Sequence, residues 1–172
     1  CEDEIAGCAS AVGASFGGAL AVTSTSGPGV CLKSEAMNLA VMTELPLVII
    51  NVQRGGPSTG LPTKSEQSDL LQALFGRNGE SPMPVIAASS PTDCFYKAYE
   101  AAKIALEHAT PVILLTDAFI ANGTGAFKVP EISGMDAINP PYVTEEMKGS
   151  WTPYMRNPKT GSRYLATPGT EG

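Results

Sequence analysis

Leu45-Pro46-Leu47-Val48-Ile49-Ile50-Asn51-Val52, followed by Gln53-Arg54-Gly55-Gly56-Pro57-Ser58-Thr59-Gly60-Leu61-Pro62-Thr63, is the stretch on which the fold turns. The apolar run is too short to span a membrane and reads as a buried strand. A cationic, glycine-rich, proline-stiffened loop at the carboxyl end of a strand is where open α/β sheets place ligands.

Working outward from this stretch, the same grammar repeats. Toward the amino terminus, Ile5, Cys8, Ala9, Val12 and Phe16 recur at helical spacing and Gly17-Gly18 supply a stop, which predicts a helix with that buried stripe. Glu2, Asp3 and Glu4 fall in its first turn, where acids complement the helix dipole. Ala19 to Thr25 reads as a strand, and Ser26-Gly27-Pro28-Gly29 breaks it before a helix from Val30 to about Thr43. This turn could offer backbone N–H groups to a ligand, but it lacks the full G-x-G-x-x-G pattern and the Walker lysine, and a plain tight turn fits it equally.

Toward the carboxyl terminus, Ser65 to Phe75 reads as a helix ended by Gly76, and Thr63-Lys64-Ser65-Glu66 fits a capping box, which gives Thr63 a local role. Val85 to Ala88 reads as a strand. Ser90-Pro91-Thr92-Asp93 starts a further helix with Pro91 at its first position, and Ala98, Ala101, Ala102 and Ala105 give that helix a close-packing face. Pro111 to Thr116 is the last strand. Strands alternating with helices imply right-handed crossovers and an α/β fold, a three-layer, mostly parallel sheet with helices on both faces. Residues 1–121 form this α/β unit. Residues 122–172, with six prolines and seven glycines, are expected to form little regular structure and to wrap a surface or lead to another domain.

Composition narrows the function classes. The 172 residues suffice for one sizeable core, and 16% charged residues is low enough to point to surface covered by partners. A net charge of −6 without a Lys/Arg stripe argues against nucleic acid as a partner. Cys1, Cys8, Cys31 and Cys94 have no C-x-x-C spacing and His108 is the only histidine, so no metal site is expected and the thiols read as buried and free. With no signal peptide and no long apolar span, the chain is expected to be a cytoplasmic excerpt of a longer protein.

Glu2-Asp3-Glu4-Ile5-Ala6, Thr25-Ser26-Gly27-Pro28-Gly29, the Gln53 to Thr63 loop and Glu66-Gln67-Ser68-Asp69-Leu70 together resemble the alpha subunit of 2-oxoacid:ferredoxin oxidoreductases, particularly the 2-oxoglutarate type. The resemblance covers nearly the whole chain. It implies the pyrimidine-binding domain of a thiamine diphosphate enzyme, lacking its first strand. It further implies an oxidative decarboxylase of a 2-oxoacid that forms acyl-coenzyme A and reduces ferredoxin. In that family a glutamate at the position of Glu4 contacts the pyrimidine ring nitrogen and is catalytic, because it favours the tautomer that deprotonates the thiazolium carbon. Arg54 matches the arginine that holds the substrate carboxylate, a role suited to a planar, bidentate donor. Thr63 matches a position near substrate, and Ser26, Gly27 and Gly29 match the turn that lies close to the cofactor.

The chain has no Gly-Asp-Gly with a downstream Asn, so the resemblance assigns magnesium, the diphosphate site and an iron–sulfur cluster to a partner beta subunit, leaving this excerpt inactive alone. Two further readings stand beside it: an assembly module of the same complex without turnover, and a nucleotide-binding α/β domain that uses the Gly27 or Gly55 turns.

Overall fold

The chain opens with an N-cap. The Asp3 carboxylate accepts hydrogen bonds from the backbone N–H of Ile5 at 2.8 Å and Ala6 at 3.0 Å, and helix α1 runs Glu4–Phe16 from that point. This is a computed structural model, and it describes residues 1–171. The elements that follow are β1 (Ala21–Thr25), α2 (Gly27–Met42), β2 (Leu47–Gln53), α3 (Leu70–Phe75), β3 (Val85–Ala87), α4 (Pro91–His108), β4 (Pro111–Asp117) and α5 (Ala118–Asn122).

The four strands form one parallel sheet in the order β1-β2-β4-β3, with Thr25 opposite Asn51 and Gln53 opposite Asp117. Alternation along the strands separates two cores. Leu47, Ile49, Ile113 and Leu115 pack with Cys8, Val12, Met37 and Ala40 of α1 and α2. Val48 and Val112 point the other way, onto Ala101 and Ala105 of α4, both fully buried. The expected three-layer α/β architecture is therefore present, and the alanine face of α4 lets that helix approach the sheet closely.

Three local expectations need correction. The buried face of α1 is Cys8, Ala11, Val12 and Ser15, whereas Ile5 and Phe16 are 50% and 59% exposed. Ser15 goes inside because its hydroxyl donates to the Pro46 carbonyl at 2.5 Å, which removes the cost of burying it. Helix α2 begins at Gly27 rather than Val30, since Pro28 has the fixed φ and missing N–H that suit a first turn. Of the thiols only Cys8 is buried; Cys1 and Cys31 are exposed and Cys94 is half-buried.

Beyond α5 the chain forms two short turns, Ile132–Gly134 and Glu145–Met147, and lies across α4 and the amino-terminal rim of the sheet. Lys103 donates to the Ala137 carbonyl, the Asn139 N–H donates to Glu107, and Arg163 donates to the Thr43 carbonyl at 2.8 Å, while Arg156 pairs with Glu44. Nearer the strand ends, Thr92 at the start of α4 donates to the Ala126 carbonyl at 3.2 Å and Phe127 packs on Phe95. Among the described residues no helix is long and apolar enough to cross a membrane.

Candidate functional site

Strands β1, β2 and β4 deliver three chain segments to the carboxyl rim of the sheet: the Ser26 turn, the Arg54 loop and Asp117. The Arg54 loop closes on itself. The Gly55 N–H donates to the Lys64 carbonyl at 2.8 Å, and the Leu61 N–H donates to the Gly55 carbonyl at 3.0 Å. Gly60 has a φ of +41°, and a Cβ there would lie 2.7 Å from the Gly55 carbonyl oxygen, so only glycine fits the tip.

The anticipated capping box does not form. Helix α3 starts at Leu70, and the Glu66 carboxylate accepts from the Gly56 N–H at 2.9 Å instead of capping a helix. A partner ten residues away in the loop outcompetes the local one. Residues 64–69 thereby become the loop's return arm and not a helical turn.

That arm is fixed by a polar network on the rim. Asn51, fully buried, donates to Asp69 at 3.0 Å. The Asp69 N–H donates to the Gln53 side chain at 3.0 Å, and Gln67 donates to Asp117 at 2.7 Å. Asp117 also caps α5 by accepting from the Phe119 and Ile120 N–H groups. Burial alone would raise the Asp117 pKa, but the hydrogen bonds from Gln67 and from these backbone groups outweigh it and hold the carboxyl below the ordinary value.

Two clefts meet at Arg54. One, about 700 Å³, is walled by Gly27, Pro28, Pro57, Asp69 and Gln72; the other, about 340 Å³, by Thr25, Ser26, Pro62 and Asn122. Arg54 lines both. Its Nε is buried and has no hydrogen-bond partner among the described residues, leaving a directional donor free at the junction.

Glu4 reaches the same neighbourhood from α1. Its side chain is half-buried, and a Cβ built on Gly29 would lie 3.0 Å from Glu4 Cγ and 1.9 Å from Thr25 Oγ1. A Cβ on Gly27 would lie 2.8 Å from Asp69 Oδ2. Both glycines therefore permit close approach of a carboxylate side chain to the start of α2. The structure brings Glu4, Ser26, Gly27, Gly29 and Arg54 to one rim. Thr63 is exposed and lines neither cleft.

Sequence reasoning passed over Lys33. This lysine is 2% exposed, and its ammonium donates to Thr23 Oγ1 at 2.6 Å. Burial lowers its pKa, while the facing Cys8 and Glu4 raise it; burial raises that of the Cys8 thiol. The available signal was periodic, because Lys33 stands between Val30 and Met37 on the inward stripe of α2, where a cation is out of pattern. Asn51, Gln53, Asp69 and Asp117 were also missed as a group, since strand-end polar residues join only through the sheet register.

An open parallel sheet whose strand-end loops carry an arginine and a glycine turn at one rim, with the acid Glu4 of α1 beside them, defines a ligand-binding α/β domain. Comparison with known proteins makes this specific. Residues 1–167 match the family model described as pyruvate flavodoxin/ferredoxin oxidoreductase, thiamine diP-binding, and the chain belongs to that family.

It is 57% identical over 171 residues to the 2-oxoglutarate oxidoreductase subunit KorA of Mycobacterium tuberculosis, covering 99% of this chain and 26% of that one. It is 44% identical over 136 residues to the 2-oxoglutarate synthase subunit KorA of Archaeoglobus fulgidus, covering 79% and 39%. Among solved structures it is similar to the 2-oxoglutarate:ferredoxin oxidoreductase from Magnetococcus marinus with 2-oxoglutarate, coenzyme A and succinyl-CoA bound, at a TM-score of 0.92 and 39% identity, covering 99% and 29%. The chain thus spans between about a quarter and two fifths of the length of these relatives.

Proposed function

We propose that this chain is the part of an alpha subunit that receives the pyrimidine end of thiamine diphosphate and the carboxylate of a 2-oxoacid, 2-oxoglutarate, in an oxidoreductase that forms acyl-coenzyme A and reduces ferredoxin. The observation that carries this reading is the convergence of Glu4, lodged against Gly29, and Arg54, with its free buried Nε, on one rim of the sheet.

The residues fit the cofactor's demands. Thiamine diphosphate, when bound, supplies the carbon nucleophile and the electron sink for decarboxylation. Glu4 offers a half-buried carboxylate that can hold a proton between its oxygen and a basic ring nitrogen. Gly29 lets Glu4 and Thr25 pack against the start of α2, Gly27 does the same for Asp69, and the Ser26–Gly29 turn is the segment offered to the cofactor. Arg54 clamps the 2-oxoacid carboxylate and orients the neighbouring carbonyl. Thr63, exposed and outside both clefts, is assigned to the substrate side by the family resemblance alone.

Among the described residues no group of three or more His, Cys, Asp or Glu could hold a metal. The family resemblance assigns magnesium, the diphosphate site and the iron–sulfur cluster to a beta subunit, with the active site between the two chains. The test is to co-express the full-length protein with its beta subunit and measure coenzyme A-dependent reduction of a low-potential acceptor across several 2-oxoacids. Turnover led by 2-oxoglutarate is expected, and no turnover with any 2-oxoacid sinks the reading.

A further inference from the structure

Lys33 poses a problem that packing does not solve. A lysine 2% exposed loses almost all of its hydration. Its two acceptors, Thr23 Oγ1 at 2.6 Å and the Ser24 carbonyl at 3.5 Å, are neutral oxygens. Among the described residues no carboxylate lies within ion-pairing distance of it. A buried cation without an adjacent anion is destabilising, and a methionine of similar length would fill the same space without that cost.

The placement of Lys33 supplies a reason for its charge. It stands one helical turn after Gly29 on α2, and Glu4 Cγ packs against Gly29. Thr23, which holds the ammonium, and Thr25, which touches Gly29, lie on the same face of β1. Thr23 and the Ser24 carbonyl from β1 act on Lys33 through hydrogen bonds, and Cys8 and, after it, Glu4 from α1 act on it through charge. Glu4 is the only carboxylate among them, and its charge opposes the effect of burial on the lysine.

We propose that Lys33 is a positioning residue for the proposed cofactor site: a buried ammonium, anchored on Thr23, that acts through the charge of the Glu4 carboxylate against the Gly29 turn. This rests on the assignment of Glu4 to the thiamine diphosphate pyrimidine. Lys33 need not touch the cofactor. It sets the field in which Glu4 meets a ring nitrogen, and the hydrogen bond to Thr23 fixes where that field originates.

The test is a double-mutant cycle read by thiamine diphosphate affinity, measured calorimetrically on the cofactor-free, full-length enzyme with its beta subunit. Lys33→Met removes the charge at similar volume, and Lys33→Gln keeps a donor for Thr23 and is the variant read if the methionine form does not assemble. In the Glu4 background either variant is expected to weaken binding by about tenfold, the scale of coupling between neighbouring groups. In the Glu4→Gln background the same change is expected to cost less than about twofold, and Lys33→Arg is expected to bind close to wild type. Equal losses in both backgrounds mean that Lys33 only packs, and overturn the inference while leaving Glu4 in place. Absence of thiamine diphosphate binding by the wild-type enzyme overturns the functional reading itself.

Discussion

Glu4 and Gly29 are in contact across the α1–α2 interface: the position of a Cβ on Gly29 is 3.0 Å from Glu4 Cγ, with Thr25 Oγ1 closer still at 1.9 Å. A methyl group there must displace the Thr25 hydroxyl and presses on the proposed catalytic side chain. Gly29→Ala is therefore expected to lower stability by about 1–3 kcal/mol despite alanine's better helix propensity. Gly7→Ala provides the control. Gly7 lies inside α1 with nothing within 4 Å of a Cβ, so that change is expected to stabilise by about 0.5–1 kcal/mol. Thermal denaturation of the full-length protein reads both, and stabilisation by Gly29→Ala would show that the contact is slack.

Replacing the Glu4 carboxylate by an amide keeps its size and removes its ability to hold a proton. If Glu4 relays a proton to the cofactor ring, Glu4→Gln is expected to lower kcat by about 10²–10⁴. Asp3, and not Glu4, supplies the N-cap of α1, so the helix should survive the change. Steady-state turnover in the assembled enzyme checks this, and a rate within a factor of two of wild type removes Glu4 from the chemistry.

At Arg54 the expectation concerns binding. Its Nε has no partner among the described residues, and a guanidinium can present two parallel donors to a carboxylate where an ammonium presents a point charge. Arg54→Lys is expected to raise KM for the 2-oxoacid about tenfold or more while changing kcat less. A variant with both constants unmoved would make Arg54 a wall of the two clefts and nothing else.

What could be read from residue order was local. The β2 strand and its arginine loop declare themselves because an apolar run and a Gly/Pro loop are adjacent in the chain, and α4 does so through Ser90-Pro91 and its alanines. The extent of α3 was not legible. Thr63 to Glu66 has the right spacing for a capping box, yet Glu66 finds the Gly56 N–H, and no local rule ranks those two partners. The network of Asn51, Gln53, Asp69 and Asp117 depends on the β2–β4 register, which brings residues 64 positions apart side by side at Gln53 and Asp117. Lys33 was visible as a break in an apolar stripe, but only the packed α1–α2–β1 layer turns that break into a buried charge near Glu4.

Asp117 links this network to stability. Burial acts to raise its pKa, but the hydrogen bonds from Gln67 at 2.7 Å and from the Ile120 and Phe119 N–H groups prevail and leave it depressed in the folded chain. A folded-state pKa below the unfolded value means that ionised Asp117 stabilises the fold at neutral pH. That contribution is present above the unfolded aspartate value of about 4 and disappears as pH falls through the folded one. Asp117→Asn keeps an oxygen able to cap α5 but cannot titrate. Its melting temperature is expected to lie below wild type at pH 7 and to converge on it as pH falls below about 4. The other carboxylates titrate in both proteins, so the difference between the two curves isolates Asp117. Melting curves that stay parallel from pH 7 to about 3 would mean that the Gln67 tie holds the return arm of the Arg54 loop through shape and not through charge.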